Sequence, residues 1–119
     1  MKKIMVIEDD QDVLLVIGDL LRSHGYEAHL FSSGDKALAE IEEIQPDAVV
    51  MDIMMPEMNG FEICKKIRSM NTAHNIPLIA MTGYDSVENR GRIFDSGIDD
   101  YLPKPFDVKV LLKKIADLV

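Results

Sequence analysis

Asp47-Ala48-Val49-Val50-Met51 and Pro77-Leu78-Ile79-Ala80-Met81-Thr82 are the two stretches whose reading decides the fold. Each is strand-length and rich in β-branched or apolar residues. Neither alternates between apolar and polar positions, as a strand with one wet face would. Their middle residues are continuously apolar, which is the mark of strands covered on both faces. Sheets covered on both faces are parallel, and parallel strands need a crossover between them, usually a helix.

The flanking sequence supplies those helices. Further strand-length runs lie at Lys3–Glu8, Glu27–Phe31 and Asp99–Leu102. Between the runs the hydrophobic period lengthens. Val13, Leu14, Ile17, Leu20 and Leu21 fall on one helical face, with Gly25 where that helix should stop. Ser33 can cap a second helix striped by Ala37, Leu38, Ile41 and Ile44. A third is expected from about Asn59 to Met70, with Phe61, Ile63, Ile67 and Met70 inward. A fourth is expected from about Ser86 to Ser96, closed by Gly97, and a fifth after Asp107 with Val108, Leu111, Leu112, Ile115 and Leu118 as its stripe. Strand–helix repeated five times predicts an α/β fold, a doubly wound (βα)5 five-stranded parallel sheet with helices on both faces.

The chain has 119 residues, enough for one domain spanning 1–119. Its formal net charge of −8 argues against a nucleic-acid surface, which needs basic residues to neutralise phosphates. It suits a cation or a basic partner. The single cysteine, Cys64, cannot form an internal disulfide and reads as a small buried residue on a helix. Absence of a disulfide framework suits a reducing cytoplasm. The apolar run after Met1-Lys2-Lys3 is cut short by Glu8-Asp9-Asp10, so no signal peptide is evident, and no run is long enough to span a membrane. His24, His29 and His74 are scattered and read as surface residues rather than metal ligands.

In an open parallel sheet, ligands sit beyond the carboxyl ends of the strands. Those ends carry Glu8-Asp9-Asp10, Phe31-Ser32, Asp52, Thr82-Gly83 and Lys104-Pro105. Neighbouring strands lie about 5 Å apart, so Glu8, Asp9 and Asp52 should crowd. Crowded carboxylates raise one another's pKa unless something neutralises them. A hard divalent cation does so, and Mg²⁺ takes oxygen ligands while keeping several waters. Asp10 reads instead as the cap of the first helix. Pro56 and Gly60 make the segment after Asp52 a rigid turn. Thr82 offers a hydroxyl and Lys104 an ammonium at the same edge. A carboxylate, a metal, a hydroxyl and an ammonium together suit phosphoryl transfer, with a carboxylate nucleophile giving an acyl phosphate.

Four segments carry a resemblance: Val6-Ile7-Glu8-Asp9-Asp10, Met51-Asp52-Ile53-Met54-Met55-Pro56-Glu57-Met58-Asn59-Gly60, Ile79-Ala80-Met81-Thr82-Gly83, and Gly97-Ile98-Asp99-Asp100-Tyr101-Leu102-Pro103-Lys104-Pro105-Phe106. In this order and at strand ends the chain resembles the receiver domain of two-component response regulators, on a flavodoxin-like fold, over essentially its whole length. The resemblance implies that Asp52 accepts a phosphoryl group from a histidine kinase or histidine phosphotransfer protein. It implies that Glu8 and Asp9 form the acidic pair that holds Mg²⁺ with Asp52, Asp9 being the direct ligand, and that the Met54 carbonyl is another ligand. Thr82 and Lys104 should contact the phosphoryl group, Thr82 and Tyr101 should form the switch, and the bond before Pro105 should be cis. The output should pass through an effector docked on the face of the fourth helix, fifth strand and fifth helix, with the chain a monomer or a phosphorylation-dependent dimer in the cytoplasm.

Other readings fit less well. A Mg²⁺-dependent aspartyl phosphohydrolase usually carries an acid two residues after its nucleophile, where this chain has Met54. A flavin carrier needs a hydroxyl- and glycine-rich phosphate loop after the first strand, where this chain has acids. A docking module independent of phosphate would not need the complete set of site residues. The chain therefore reads as a signalling switch rather than an enzyme, either acting alone or as one module of a longer protein. The acidic–basic pattern of the DNA-binding branch of the family is partly met by Arg90, Asp99 and Asp100 but broken at Lys114 and Val110, which weighs against that branch's usual dimer. Met54 and Tyr84, which the resemblance places where attack by water on the acyl phosphate is tuned, predict slow self-dephosphorylation. Gly91 in the middle of the fourth helix predicts a marginal helix that reorders.

Overall fold

The apolar runs become β1 (Lys3–Ile7), β2 (Glu27–Phe31), β3 (Ala48–Asp52), β4 (Leu78–Thr82) and β5 (Asp100–Pro103). They alternate with α1 (Gln11–Ser23), α2 (Gly34–Ile44), α3 (Gly60–Arg68), α4 (Val87–Asp95) and α5 (Val108–Leu118). The computed structural model describes residues 1–83 and 87–119, the Val87 side chain excepted. Tyr84, and the expected start of α4 at Ser86, therefore lie outside the described residues.

All strand pairs are parallel, in the order β2-β1-β3-β4-β5. Every residue of β3 and β4 is buried. Alternate residues of each strand serve different helices. Met5, Ile7, Val49, Met51, Leu78 and Ala80 pack with Ala37, Ile41, Ile63, Ile67 and Ile93 of α2, α3 and α4. Ile4, Val6, Val50, Ile79, Met81 and Leu102 pack with Leu14, Ile17, Leu21, Leu111 and Ile115 of α1 and α5. Two apolar layers thus sandwich the sheet.

Side-chain caps start the helices where the sequence places them. Asp10 accepts the amides of Asp12 and Val13, Ser33 that of Lys36, Asn59 that of Glu62 and Asp107 that of Lys109. Gly25, at φ 85°, takes the left-handed conformation just past α1. One reading needs correction. Val108 does not join the buried stripe of α5: it is the first residue of that helix and 41% exposed. Gly60 ends the turn after Asp52 and opens α3, and a Cβ there would lie 2.8 Å from Ile53 Cδ1 and 3.0 Å from Ile53 Cα. It is small because α3 starts against β3's exit.

Cys64 is buried in α3, where burial pushes its thiol up, and its Sγ donates to the Ser96 carbonyl at 3.2 Å. Arg68, which the helical period marks only as a basic residue near the end of α3, ties three segments together. Its guanidinium donates to the carbonyls of Gly97, His74 and Ile76 and meets the Asp99 carboxylate at 2.9 Å. The histidines stay at or near the surface, His29 meeting Glu27 at 2.6 Å.

Candidate functional site: an acidic cluster at the switch point of the sheet

The strand order reverses between β1 and β3, since β1 is followed outward by β2 on one side and by β3 on the other. A crevice opens beyond the carboxyl ends at such a point. Glu8 and Asp9 follow β1 there, and Asp52 is the last residue of β3. Carboxylate oxygens of Glu8, Asp9 and Asp52 all lie within 4.8 Å of one another. Asp10 is not among them; its carboxylate is occupied as the α1 cap.

Asp52 is 6% exposed and held at both oxygens. Oδ1 accepts the Met54 amide at 3.0 Å, and Oδ2 accepts the Lys104 ammonium at 3.2 Å. The loop that follows is pinned by the Gly60 amide, which donates to the Ile53 carbonyl at 3.0 Å. Met54 itself is 70% exposed, so the mouth of the site is open beside Asp52.

Glu8 is 1% exposed. Its Oε1 accepts Lys104 Nζ at 3.0 Å, while Oε2 is buried with no hydrogen-bond partner. Burial is the main cause that raises Glu8 to about 7, and the hydrogen bond and charge of Asp52 add to it beyond what Lys104 offsets. Burial alone would lower the Lys104 ammonium, but its bonds and charge contacts with Glu8 and Asp52 hold it above its ordinary value. One ammonium thus bridges two of three clustered carboxylates.

That balance suits a bound metal ion. Every donor is an oxygen, three acids face one cation, and one buried carboxylate oxygen lacks a partner. A hard divalent ion answers all three conditions. The residues present fit Mg²⁺.

The opposite wall is built by β4 and β5. Thr82 ends β4 and is 1% exposed. The Lys104 amide donates to its carbonyl at 2.7 Å, which carries the lysine over the strand ends, and the Lys104–Pro105 peptide bond is cis. Asn89 of α4 donates to Thr82 Oγ1 at 3.2 Å, a contact that the sequence does not signal because Asn89 carries only a helical period. Tyr101 on β5 is half-buried and meets Phe94 edge-on, with ring centroids 5.9 Å apart. The structure therefore gathers Glu8, Asp9, Asp52 and Lys104 directly, lines Thr82 beside them, and leaves Tyr101 on the neighbouring face.

Residues 4–116 match the sequence model described as "Response regulator receiver domain". Among curated proteins the chain is similar to the response regulator MprA of Mycolicibacterium vanbaalenii, with 40% identity over 117 residues, and to MprA of Mycobacterium leprae, with 38%. These alignments cover 98% of this chain and 50% of the relatives, so the chain spans about half their length. Among solved structures it superposes on the Vibrio cholerae chemotaxis protein CheY4 with a TM-score of 0.94 at 28% identity, covering 100% of this chain and 99% of that one. It also superposes on the receiver domain of the sensor histidine kinase PA1611 of Pseudomonas aeruginosa, described with a magnesium ion coordinated in the active site cleft. There the TM-score is 0.89 and the identity 30%, covering 98% and 96% of the two chains.

Proposed function

Because this chain belongs to the response regulator receiver domain family, we propose that residues 1–119 act as one phosphoacceptor switch in which Asp52 takes a phosphoryl group from the phosphohistidine of a kinase or phosphotransfer protein. The observation that carries this reading is Asp52 itself. It is a strand-end carboxylate with one oxygen on a backbone amide, the other on Lys104, and two further acids within 4.8 Å.

Asp9 and Asp52 would ligate Mg²⁺ directly, with the Met54 carbonyl, and Glu8 would hold the ion's water. When bound, the ion supplies positive charge against the phosphoryl oxygens. Lys104 is already shared between Asp52 and Glu8 and can follow Asp52's new phosphoryl oxygens without losing its buried partner. Asp52 Oδ attacks phosphorus, the bond from phosphorus to the histidine nitrogen breaks, and the nitrogen leaves with the electron pair. Thr82 donates its hydroxyl to the phosphoryl group. The chain is then a switch that promotes its own phosphorylation rather than an enzyme acting on a separate substrate, and it works in the cytoplasm, where kinase and metal are available.

Two surfaces support the partner assignments. An open apolar cavity of about 390 Å³, lined by Val13, Val16, Ile17, Phe106 and Val108, borders Lys104; the helix that presents a phosphohistidine would dock there. On the other side, exposed Phe94 and Val110 flank half-buried Tyr101 on α4, β5 and α5, where an effector would dock. Asp99 and Asp100 are already paired with Arg68 and Lys114 in the same chain. That favours signalling as a monomer over a dimer held by those acids.

The metal assignment has its own test. Incubation with acetyl phosphate should phosphorylate the wild type only when Mg²⁺ or Mn²⁺ is present. Asp9→Ala should raise the Mg²⁺ concentration required far more than Asp10→Ala, because Asp10 is a helix cap. A larger effect at Asp10 would overturn the ligand roles.

A further inference from the structure

The C-terminal end of α4 is fastened to α3 and the core: Ile93 is fully buried, Arg92 lies 4.0 Å over the Phe61 ring, Cys64 bonds the Ser96 carbonyl, and Arg68 bonds the Gly97 carbonyl twice. Between this anchor and the first turn stands Gly91, exposed, with nothing within 4 Å of where a Cβ would be. Packing does not require glycine there, and glycine weakens a helix interior relative to alanine. Ahead of Gly91, half-buried Asn89 reaches the sheet and donates its side-chain amide to Thr82 Oγ1.

Thr82 is itself held by its backbone. Its carbonyl accepts the Lys104 amide, and it pairs with Pro103 in the ladder. Turning the hydroxyl toward a phosphoryl group on Asp52 is therefore a rotation of the side chain alone. That rotation carries Oγ1 away from Asn89 Nδ2, and a hydrogen bond starting at 3.2 Å has little slack.

Resting on the receiver reading above, we propose that Asn89 is a positioning residue: its bond to Thr82 holds the first half of α4 in the unphosphorylated arrangement and releases it when Thr82 turns. This connection runs from Thr82 straight to α4 and does not pass through Tyr101. The helix bends at Gly91 because its other end is bolted to α3. The Asn89–Thr82 hydrogen bond is one contribution to the difference between the two arrangements, and a bias of that size is enough to move a population between states close in energy.

The test is a double-mutant cycle read by amide exchange of residues 88–95 in metal-free, unphosphorylated protein. Asn89→Ala and Thr82→Val should each speed exchange in the first half of α4 by on the order of fivefold, the factor that one neutral hydrogen bond supplies. Together they should speed it no more than either does alone. Alanine is the better helix former, so loosening by Asn89→Ala cannot come from propensity. Adding beryllofluoride, an acyl-phosphate mimic, with Mg²⁺ should change α4 exchange less in Asn89→Ala than in the wild type. Unchanged exchange in Asn89→Ala, or additive effects in the double variant, would overturn the proposal. Those outcomes are read without phosphate, so they are distinct from a failure of Asp52 to label, which would instead remove the receiver reading.

Discussion

Replacing Glu8 with glutamine should stabilise this protein in the absence of metal, and only at neutral to alkaline pH. Glu8 is 1% exposed, one of its oxygens has no partner, and burial helps raise its pKa from 4.5 to about 7. The folded state thus binds the Glu8 proton more tightly than the unfolded state. The stability this group contributes is complete below about pH 4.5 and is lost as pH rises through about 7. At about 1.4 kcal/mol per pH unit, that span is worth at most about 3 kcal/mol. The crevice opens to water at Asp9 and Met54, and Lys104 would keep only Asp52 as a charged partner, so roughly half of that ceiling should survive. Glu8→Gln is expected to gain roughly 1–2 kcal/mol at pH 8, a rise of several degrees in midpoint for a chain of this size. The gain should shrink toward zero at pH 5, where the wild-type carboxyl is itself protonated. Mg²⁺ should narrow the gap at pH 8 by stabilising the ionised wild type. Urea unfolding followed by circular dichroism, at both pH values with and without Mg²⁺, measures all of this. A variant that is less stable at pH 8, or a gap that does not depend on pH, would show that the Glu8–Lys104 pair is net stabilising and that the cluster is not poised for a cation.

Gly91→Ala should stabilise the unphosphorylated protein by up to about 1 kcal/mol in urea unfolding, since a Cβ there meets nothing within 4 Å; it should also blunt the phosphorylation-dependent change in effector affinity. Gly60→Ala should cost about 1–3 kcal/mol, because the added carbon would press on Ile53 Cα at 3.0 Å and on the Asp52 carbonyl at 3.3 Å. The same change should slow labelling of Asp52, which sits on that backbone. Met54→Asn should speed loss of the phosphoryl group severalfold, because Met54 is 70% exposed at the mouth of the site and an amide there can orient water; unchanged decay after the phosphodonor is removed would count against this.

The sheet was legible from sequence because β3 and β4 carry no polar residue until their last positions, and burial on both faces leaves only one architecture. The caps were legible because Asp10, Ser33 and Asp107 act through neighbours two or three residues away. The acids could be placed at one edge because the topology brings strand ends together. What sequence could not convey are contacts between distant segments whose residue types have many other uses. Arg68 is one of several basic residues near the end of α3, and its clamp on residues 74–99 appears only when α3, β4 and β5 are assembled. Asn89 looks like a surface helical residue until Thr82 is found beneath it. Val108 fits the helical stripe of α5 by period, yet it is the first residue of that helix and stands exposed beside the groove at Lys104. Glu8 and Asp9 are adjacent in sequence, but the exit from β1 buries one and exposes the other, which separates their roles.

The most direct measurement is chemical mapping of the phosphoryl group after incubation with Mg²⁺ and either acetyl phosphate or a phosphorylated histidine kinase. Intact-mass analysis should show one added phosphoryl per chain. Hydroxylamine should remove it and leave its mark on the peptide containing Asp52, and Asp52→Asn should take up no label while remaining folded. A full complement of label on the Asp52→Asn protein, or a hydroxylamine-resistant label on another residue, would contradict the assignment of Asp52 as the acceptor.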